Sequence, residues 1–387
     1  MAKSFSLIPR VRVNYTLCDV LNAVTCNSGS YKKRNMCIEE LCKIFPDYEI
    51  KFVPSSRDAI YELLIRLPQK KVVIPAYTCM VVNEAVLLSG KEILFSKTRK
   101  EDFNSSYIEC IDKDCIVLAT HQYGLPCDIE KIAAKCKETG AVLIEVCASS
   151  LGTTVIGKMT GTFGDFAFIS LNASKSLTVP PFGGILIGKD NKILNDIEEK
   201  SGWKDQNFTF RLKAFVRAFA FVVTKDPFIY KMFHWLTIDR KGKLQRTEHE
   251  KPAEEKTDYY KFRFEEWQAS ILLKQLKNID KIISRRKYIY DYYDKHINNP
   301  SVTKPICNDN ATCTRYAILV NDRQSFYKQC IAKGIDMDFS HCSIGCPQNE
   351  VYKEEHEMAK QILNLPFYYG LTDKEMKKVV NVINSIC

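Results

Sequence analysis

Several features that define common protein classes are missing from this 387-residue chain. The N-terminus has no apolar run of signal-peptide length, so we expect the chain to stay in the cytoplasm. Charged residues interrupt the most apolar stretch, 212–236, which therefore cannot span a bilayer. The motifs GxGxxG, Walker A and HExxH are absent, as are paired CxxC motifs. These absences speak against a dinucleotide fingerprint, a P-loop and a HExxH zinc site.

Cysteine is frequent, with 16 residues, but its pattern predicts no metal site. In a short secreted chain this number would suggest a disulfide framework, whereas here the cysteines are spread over a long chain. The best zinc candidate, His341-Cys342-x-x-x-Cys346, has an unusual spacing and no second cluster. We therefore predict free thiols, most of them buried, and no bound metal.

Charge and length limit the architecture. Lys and Arg number 56 against 46 Asp and Glu, a formal charge of +10, and 45% of the residues are hydrophobic, which is ample for a core. The basic residues are scattered and show no basic-aromatic recognition motif, so no nucleic-acid partner is expected. The length and the change of pattern along the chain predict a large domain over 1–257 and a small one over 258–387.

From residue 52 onward, short β-branched runs alternate with longer helical stretches, which is typical of a largely parallel α/β sheet. The predicted strands are Lys71–Pro75, Ile93–Phe95, Cys115–Thr120, Ala141–Val146, Asp165–Ser170 and Gly184–Ile187. The predicted helices between them are Cys79–Ser89 and Ile129–Glu138.

Beyond the sheet the pattern changes. The segment 190–257 is predicted to be a long irregular excursion with an exposed charged part. Within it, 212–236 indicates an amphipathic helix pair that packs on the body or on a partner subunit; contact with a membrane surface is possible but not favoured. One long helix, Phe264–His296, then leads into a small α+β unit. That unit comprises strand Tyr316–Val320, helix Ser325–Lys333, a short segment Ile362–Leu365 and helix Asp373–Ile386.

Lysine chemistry is the remaining indication of function. Lys175 follows the predicted strand Asp165–Ser170, lies among small hydroxyl residues in SLNASKSL and precedes the turn PPFGG. A lysine at the carboxyl end of a sheet strand is well placed to offer its nitrogen to a phosphorylated aldehyde cofactor.

Taken in order, the motifs resemble the DegT/DnrJ/EryC1/StrS family of sugar aminotransferases, which have fold type I and depend on pyridoxal 5'-phosphate (PLP). The resemblance implies a large, mostly parallel sheet sandwiched by helices, a small C-terminal α+β domain, and a homodimer with shared active sites. The similar segments are PSSRDAI (54–60), VVIPAYTC (72–79), THQYGLPCDIEKI (120–132), VLIEVCASSLGT (142–153), GTFGDFAFISLNASKSL (161–177), FRFEEWQASILLKQLKNID (262–280), KGIDM (333–337) and ILNLPFYYGLTDKEM (362–376).

The resemblance implies a role for each matching position. Lys175 matches the lysine that binds the cofactor covalently, and Ser170 matches a hydroxyl that contacts its phosphate. Ser55, Ser56 and Arg57 open a helix where the family binds the same phosphate, and a helix N-terminus favours anions. The other implied cofactor contacts are Tyr77, Cys79, Ser149, Asn172 and, toward the partner subunit, Lys261; His121 and His341 are the implied substrate contacts.

The chain departs from the family pattern at four positions. The family's Glu-Asp pair reads Glu145-Val146, so the Asp that keeps the pyridine nitrogen protonated, and the ring an electron sink, is missing. Glu145 cannot replace it, because neighbours on a strand point to opposite faces. The other departures are Ser149 for a Gln beside the phenolic oxygen, Ser56 for a Gly of the phosphate loop, and Cys79 for the ring-stacking aromatic, where Tyr77 is close enough to compensate.

Three functions are compatible with this pattern. The leading one is an aminotransferase that moves an amino group from glutamate to a keto-sugar, usually nucleotide-linked, in surface polysaccharide or amino-sugar biosynthesis. The alternatives, both prompted by Val146, are non-standard chemistry on the same fold and cofactor, and a non-catalytic homologue that binds or regulates. In the leading interpretation part of the positive charge holds phosphates of the cofactor and of an anionic sugar nucleotide.

Overall fold

The computed structural model describes residues 5–26, 30–238, 261–306, 311–339, 341 and 344–386. Its strands are β1 (Glu49–Val53), β2 (Lys71–Pro75), β3 (Glu92–Ser96), β4 (Cys115–Thr120), β5 (Val142–Val146), β6 (Thr154–Val155), β7 (Lys158–Met159), β8 (Phe166–Ser170), β9 (Gly184–Gly188), β10 (Val302–Thr303), β11 (Tyr316–Val320) and β12 (Ile362–Leu365). Its α-helices are α1 (Leu17–Val24), α2 (Lys32–Cys42), α3 (Ser56–Arg66), α4 (Met80–Leu88), α5 (Ile129–Thr139), α6 (Asn191–Lys200), α7 (Phe208–Val223), α8 (Pro227–Thr237), α9 (Glu266–Leu276), α10 (Ile279–His296), α11 (Arg323–Ala332), α12 (Lys353–Gln361) and α13 (Asp373–Asn384).

Seven strands form the main sheet in the order β1-β9-β8-β5-β4-β2-β3. The four pairs from β8 to β3 are parallel, while β9 runs antiparallel to both of its neighbours. All six strands predicted from the sequence are therefore confirmed, as is the mostly parallel α/β sheet. Every residue of β4 is buried, as expected for a strand inside a sheet that is covered on both faces.

The parallel strands place three side chains in one row. Thr120 on β4 is the register partner of Val146 on β5, which in turn pairs with Phe168 on β8. Register partners on adjacent parallel strands point to the same face of the sheet. Thr120, Val146 and Phe168 therefore form a row across the carboxyl end of the sheet, which we call the β4–β5–β8 row.

The segment after the sheet is more regular than its sequence suggested. The irregular structure predicted from residue 190 is wrong for most of 191–237, which forms α6, α7 and α8. Asp190, Asn207 and Asp226 each cap one of these helices by accepting backbone N–H groups, and Pro227 occupies the first turn of α8. The helix pair expected over 212–236 is confirmed, while 239–257 lies outside the described residues.

The long helix predicted over Phe264–His296 is wrong as one element, because it is divided into α9 and α10. Lys277 and Asn278 separate the two helices, and the Asn278 side-chain amide donates to the carbonyl of Lys274 at 2.9 Å. Asparagine favours such local bonds over continuing a helix, which explains the interruption.

The C-terminal part has its own core. Strands β10, β11 and β12 form an antiparallel sheet, and aromatic residues such as Tyr293 and Tyr316 pack with it and with α10. Strands Tyr316–Val320 and Ile362–Leu365 are confirmed, as are helices at 325–333 and 373–386 within a few residues. The boundary between 1–257 and 258–387 stays a prediction. None of the helices in the described ranges has the length and apolar character needed to cross a membrane.

Candidate active site

A cavity of about 410 Å³ lies at the carboxyl edge of the parallel strands. The loops after β2, β4, β5 and β8 line it, together with the start of α3 and residues of the C-terminal part. Most of the site residues predicted from the sequence line this one cavity: Ser55, Ser56, Arg57, Cys79, His121, Ser149, Ser170, Asn172, Lys175 and His341. The structure thus brings together side chains that are up to 286 positions apart, from Ser55 to His341.

Lys175 presents its amino group to the cavity. It follows β8 in a tight loop in which its backbone N–H donates to the carbonyl of Asn172 at 3.0 Å. The carbonyl of Lys175 accepts a hydrogen bond from the buried guanidinium of Arg286 at 3.1 Å. Its Nζ donates to Oγ of Ser149 at 2.9 Å. The side chains that the resemblance assigns to the covalent attachment and to the phenolic oxygen are therefore hydrogen-bonded to each other.

The start of α3 forms an anion-binding end of the cavity. Ser55 caps this helix by accepting the backbone N–H of Asp58 at 3.2 Å, and Ser170 lines the same cavity. The hydroxyl oxygen of Ser56 is buried and has no hydrogen-bond partner among the described residues. A Cβ on Gly184 would lie 3.0 Å from the backbone nitrogen of Ser56, so only glycine allows β9 to approach this turn. A helix N-terminus with an unused buried hydroxyl fits the phosphate of PLP.

Arg57, which the resemblance places at the cofactor phosphate, forms an ion pair with a residue of the protein itself. Its Nη1 lies 3.0 Å from a carboxylate oxygen of the buried Glu84 on α4, although Arg57 also lines the cavity. The ion pair fixes the guanidinium beside the phosphate end. Its charge can therefore favour an anion there.

The β4–β5–β8 row gives the cavity a wall without ionisable groups. Val146 lines the cavity and is only 4% exposed, between Thr120 and Phe168. Among the described residues that line the cavity, Asp338 is the only acidic one, and it is paired with Arg315. The phosphate and lysine ends of the cavity therefore fit PLP, while the row at Val146 offers no carboxylate for a pyridine nitrogen.

Glu145 points away from the cavity, as strand alternation predicted. Its two carboxylate oxygens accept backbone N–H groups of Gly161 at 2.8 Å, Phe163 at 2.7 Å and Gly164 at 2.9 Å. His121 Nε2 lies 3.2 Å from the same carboxylate. Glu145 therefore holds the loop before β8 and is not available to the ring nitrogen of a cofactor.

His121 is a buried wall residue. Its Nδ1 accepts the backbone N–H of Cys127 at 3.3 Å, which fixes the orientation of the ring. Burial lowers the pKa of His121, but contacts with Cys127, Cys147 and Glu145 outweigh it and raise that pKa. Possible ligand atoms of His121, Glu145 and Cys147 lie within 4.8 Å of one another, yet both carboxylate oxygens are already occupied by N–H donors. A role of His121 in substrate binding stays a prediction.

His341 joins the C-terminal part to the cavity. Its ring stacks on Tyr123 with centroids 5.1 Å apart, and its Nδ1 accepts the side-chain amide of Gln122 at 2.7 Å. Burial, together with the positive charges of Arg315 and Lys175, lowers the pKa of His341 well below its usual value. His341 is therefore neutral and carries its proton on Nε2. Cys342 of the rejected zinc motif lies outside the described residues.

An aromatic residue that the sequence reasoning missed lines the cavity. Tyr123 faces it, whereas Tyr77 is buried and hydrogen bonds with the Tyr123 hydroxyl at 2.8 Å. Cys79 lies at the start of α4 and also lines the cavity. The HQYG motif contained Tyr123, and only the fold shows which of the two tyrosines reaches the cavity. Whether Tyr77 compensates for Cys79 stays a prediction.

Two charged residues were also missed. Arg315 and Asp338 line the cavity as an ion pair, and Arg315 also donates to Oγ of Ser174 at 3.2 Å. They come from the C-terminal part, and nothing in their local sequence marks them. Lys261 is exposed outside the cavity, and its backbone carbonyl accepts the N–H of Lys204 at 2.7 Å. Its contact with a partner subunit stays a prediction.

Comparisons with known proteins agree with this geometry. A GDP-perosamine synthase from Vibrio cholerae is 32% identical over 130 residues, which are 32% of this chain and 35% of that protein. The dTDP-3-amino-3,6-dideoxy-alpha-D-galactopyranose transaminase of Aneurinibacillus thermoaerophilus is 21% identical over 328 residues, or 81% of this chain and 78% of that protein. The matches to the first curated relatives thus span between about a third and a half of their lengths.

The fold is also that of a solved aminotransferase. Helicobacter pylori PseC, an aminotransferase involved in the biosynthesis of pseudoaminic acid, superposes with a TM-score of 0.71 over 99% of this chain and 98% of its own, at 16% identity. The family model of the DegT/DnrJ/EryC1/StrS aminotransferase family matches residues 60–384, which include Lys175, Ser170 and Val146. This chain belongs to the DegT/DnrJ/EryC1/StrS aminotransferase family.

Proposed function

We propose that this protein is a PLP-dependent aminotransferase that transfers an amino group from glutamate to a nucleotide-linked keto-sugar, in surface polysaccharide or amino-sugar biosynthesis. The observation that carries the proposal is that one cavity holds both the Lys175 amino group and, at the start of α3, the Ser56 hydroxyl, which has no hydrogen-bond partner in the described part of the chain. Membership of an aminotransferase family supports it, as do the names of the sugar-converting relatives.

The chain's own residues would hold the cofactor at two ends. Lys175 would bind it covalently, while Ser55, Ser56 and Ser170 would hold the phosphate. When bound, PLP supplies a carbonyl that takes up the amino group and a conjugated ring that spreads negative charge. Lys175 Nζ, hydrogen-bonded to Ser149, is then the base that can move a proton at the substrate carbon.

The opposite side of the cavity supplies substrate contacts. Arg315, Asp338 and the neutral His341 reach it from the C-terminal part. Arg315 is the cationic side chain on this side, and its guanidinium group suits the diphosphate of a sugar nucleotide. We further propose a cytoplasmic homodimer in which Lys261 approaches the partner's phosphate site.

The first experiment is to reconstitute the purified protein with PLP. We expect an absorption band at a longer wavelength than that of the protein, and borohydride should abolish this band while it fixes the cofactor on Lys175 through a secondary amine. Peptide mass spectrometry would locate that attachment. Lys175→Ala should lose the attachment, while Lys158→Ala, an exposed lysine away from the cavity, should keep it. If wild-type protein forms no attachment in excess PLP, the proposed function is wrong.

Two further measurements test the phosphate end and the reaction. Ser56→Ala should weaken PLP binding about two- to tenfold, since a hydrogen bond of this kind contributes about 0.5–1.5 kcal/mol. Glutamate should convert the loaded protein to the amine form of the cofactor and release 2-oxoglutarate. Loaded protein that never yields 2-oxoglutarate would contradict the transaminase assignment while leaving cofactor binding intact.

A further inference from the structure

Helices α7 and α8 expose many large apolar side chains. The described residues include 21 exposed large hydrophobic side chains, and ten of these lie within residues 208–236. We call this set the α7–α8 face. It consists of Phe208, Leu212, Val216, Phe219, Phe228, Ile229, Met232, Phe233, Trp235 and Leu236, which are 39–79% exposed. Such a concentration marks an interaction surface, since single exposed apolar residues are normally scattered.

The inner side of α7 explains why this face is not needed for folding. Ala214 and Ala218 are buried against the body, and Phe215 packs on Trp267 with ring centroids 4.8 Å apart. The exposed residues of α7 recur at helical spacing on its other side. The helix therefore has two apolar sides, of which the protein's own core uses one.

The helix pair is firmly attached to the body. The backbone N–H of Leu7 donates to the carbonyl of Pro227 at 3.0 Å, and the Tyr230 hydroxyl donates to the carboxylate of Asp336 at 2.5 Å. At the other end Arg211 forms an ion pair with Glu265. The α7–α8 face is therefore presented in a fixed orientation.

The charged residues of the helix pair are mostly basic. Residues 206–238 contain five Lys and Arg but only one acid, Asp226. Lys213 and Arg217 are exposed beside the apolar residues. A contact in which the α7–α8 faces of two copies lay on each other would bring these basic residues together without carboxylates to compensate, which is unfavourable. Its charge is complementary to a negatively charged partner.

The following segment of the chain does not supply an apolar cover. Residues 239–260, which lie outside the described ranges, contain Leu244, Tyr259 and Tyr260 as their only large aliphatic or aromatic residues. The sequence therefore offers no apolar stretch there that matches ten exposed side chains. The occupant has to come from outside this segment.

We propose that the α7–α8 face docks on the surface of an anionic phospholipid bilayer, with both helices lying along the membrane plane. Phenylalanine, leucine and tryptophan side chains would enter the boundary between headgroups and acyl chains, and Lys213 and Arg217 would contact the lipid phosphates. This inference is independent of the chemistry in the cavity, which lies on a different set of residues.

Vesicle sedimentation of the full-length protein tests the proposal. Binding is expected to vesicles of phosphatidylglycerol and phosphatidylcholine and to be much weaker with phosphatidylcholine alone. The double variant Phe219→Ser/Trp235→Ser should lower the partition coefficient at least about tenfold, since each side chain buries a large apolar area. Lys213→Gln and Arg217→Gln should each lower it about fivefold, an effect that high salt removes.

A matched control and a second measurement keep the test decisive. Ile156→Ser/Ile306→Ser removes two apolar side chains that are 64% and 68% exposed elsewhere, and it should leave vesicle binding unchanged. The proposal is overturned if wild-type protein does not bind anionic vesicles, or if the control lowers binding as much as the face variant. A third outcome would also overturn it: wild-type protein does not bind vesicles, and analytical ultracentrifugation shows that Phe219→Ser/Trp235→Ser dissociates an oligomer into monomers. The α7–α8 face would then be a contact between two copies of the chain.

Discussion

The substitution Val146→Asp tests how this cavity treats the ring nitrogen of its cofactor. Val146 is buried in the β4–β5–β8 row, between Thr120 and Phe168, and the nearby Glu145 is engaged on the other face of the strand. In wild-type protein loaded with PLP we therefore expect the ring nitrogen to be unprotonated at pH 7. An aspartate at this position would place a carboxylate on the cavity side.

The size of the effect follows from electrostatics. Two unit charges about 4 Å apart attract with about 4 kcal/mol at an effective dielectric constant of about 20. Because one pKa unit corresponds to about 1.4 kcal/mol, the carboxylate should raise the pKa of the ring nitrogen by about 3 units. Because burial disfavours the charged form of the new carboxylate, the effect will be smaller than this estimate, and we expect the pKa of the ring nitrogen to rise by at least about 2 units.

The assay is the ¹⁵N chemical shift of PLP labelled at the ring nitrogen, recorded against pH. Wild-type protein and Val146→Asn should give the shift of a neutral pyridine at pH 7, and Val146→Asp that of a pyridinium. The Asn variant is the matched control, since it has the size of Asp without its charge. Only the protonated ring is a strong electron sink, so Val146→Asp should also accelerate the half-reaction with glutamate.

One result would refute this reasoning directly. If the wild-type ring nitrogen is already protonated at pH 7, then another group supplies the charge and the β4–β5–β8 row does not decide the protonation state. If Val146→Asn changes the shift as much as Val146→Asp does, size and polarity matter and charge does not. Loss of PLP binding in both variants would instead show that the row needs an apolar side chain to hold the ring.

Three further predictions concern stability and pH. Glu145→Gln should lower the free energy of unfolding in urea by about 1.5–3 kcal/mol, because the amide keeps only one acceptor oxygen and its NH2 group would face backbone N–H donors on the other side; an unchanged midpoint would contradict this. The pKa of His341 is lower in the folded than in the unfolded state, so as pH falls below about 6.5 the unfolded state takes up a proton before the folded state does, and acid destabilises the fold. His341→Gln should therefore flatten the dependence of Tm on pH in that range. Gly124→Ala, where a Cβ would lie 2.5–2.7 Å from backbone atoms, should cost more than about 3 kcal/mol, against about 1 kcal/mol for Gly140→Ala, which has a similar positive φ but open space.

Most strands of the main sheet could be predicted because each has a recognisable local sequence pattern. Each predicted strand is a short β-branched run between turn residues, and burial on both faces requires such runs. The edge strand β1 was missed, since EIKFV follows a charged, cysteine-containing stretch and precedes a helix cap without a clear boundary. The short helices α1, α2 and α12 were missed as well, because tertiary packing stabilises them more than their own sequences do.

Some residues of the candidate site could likewise be predicted from the sequence, and others could not. Lys175, Ser170 and the start of α3 could be found because they lie in ordered motifs next to strand ends, where a sheet collects functional residues. Arg315 and Asp338 could not, since their meeting with Lys175 depends on how the C-terminal part lies over the sheet. The sequence could not choose between Tyr77 and Tyr123, because only the fold shows that Tyr123 lines the cavity while Tyr77 is buried behind it and bonded to its hydroxyl.

The adjacent pair Glu145-Val146 explains how this chain can lose a charge partner without losing its fold. On one face of β5 the glutamate carboxylate accepts three backbone N–H groups and contacts His121, so its removal would leave buried donors unpaired. On the other face Val146 only completes an apolar row, and valine is well suited to a buried strand. Strand alternation thus separates the residue that the loop before β8 requires from the one that faces the cavity. Val146 can therefore alter the chemistry of the cavity while Lys175, Ser56 and the sheet that positions them stay in place.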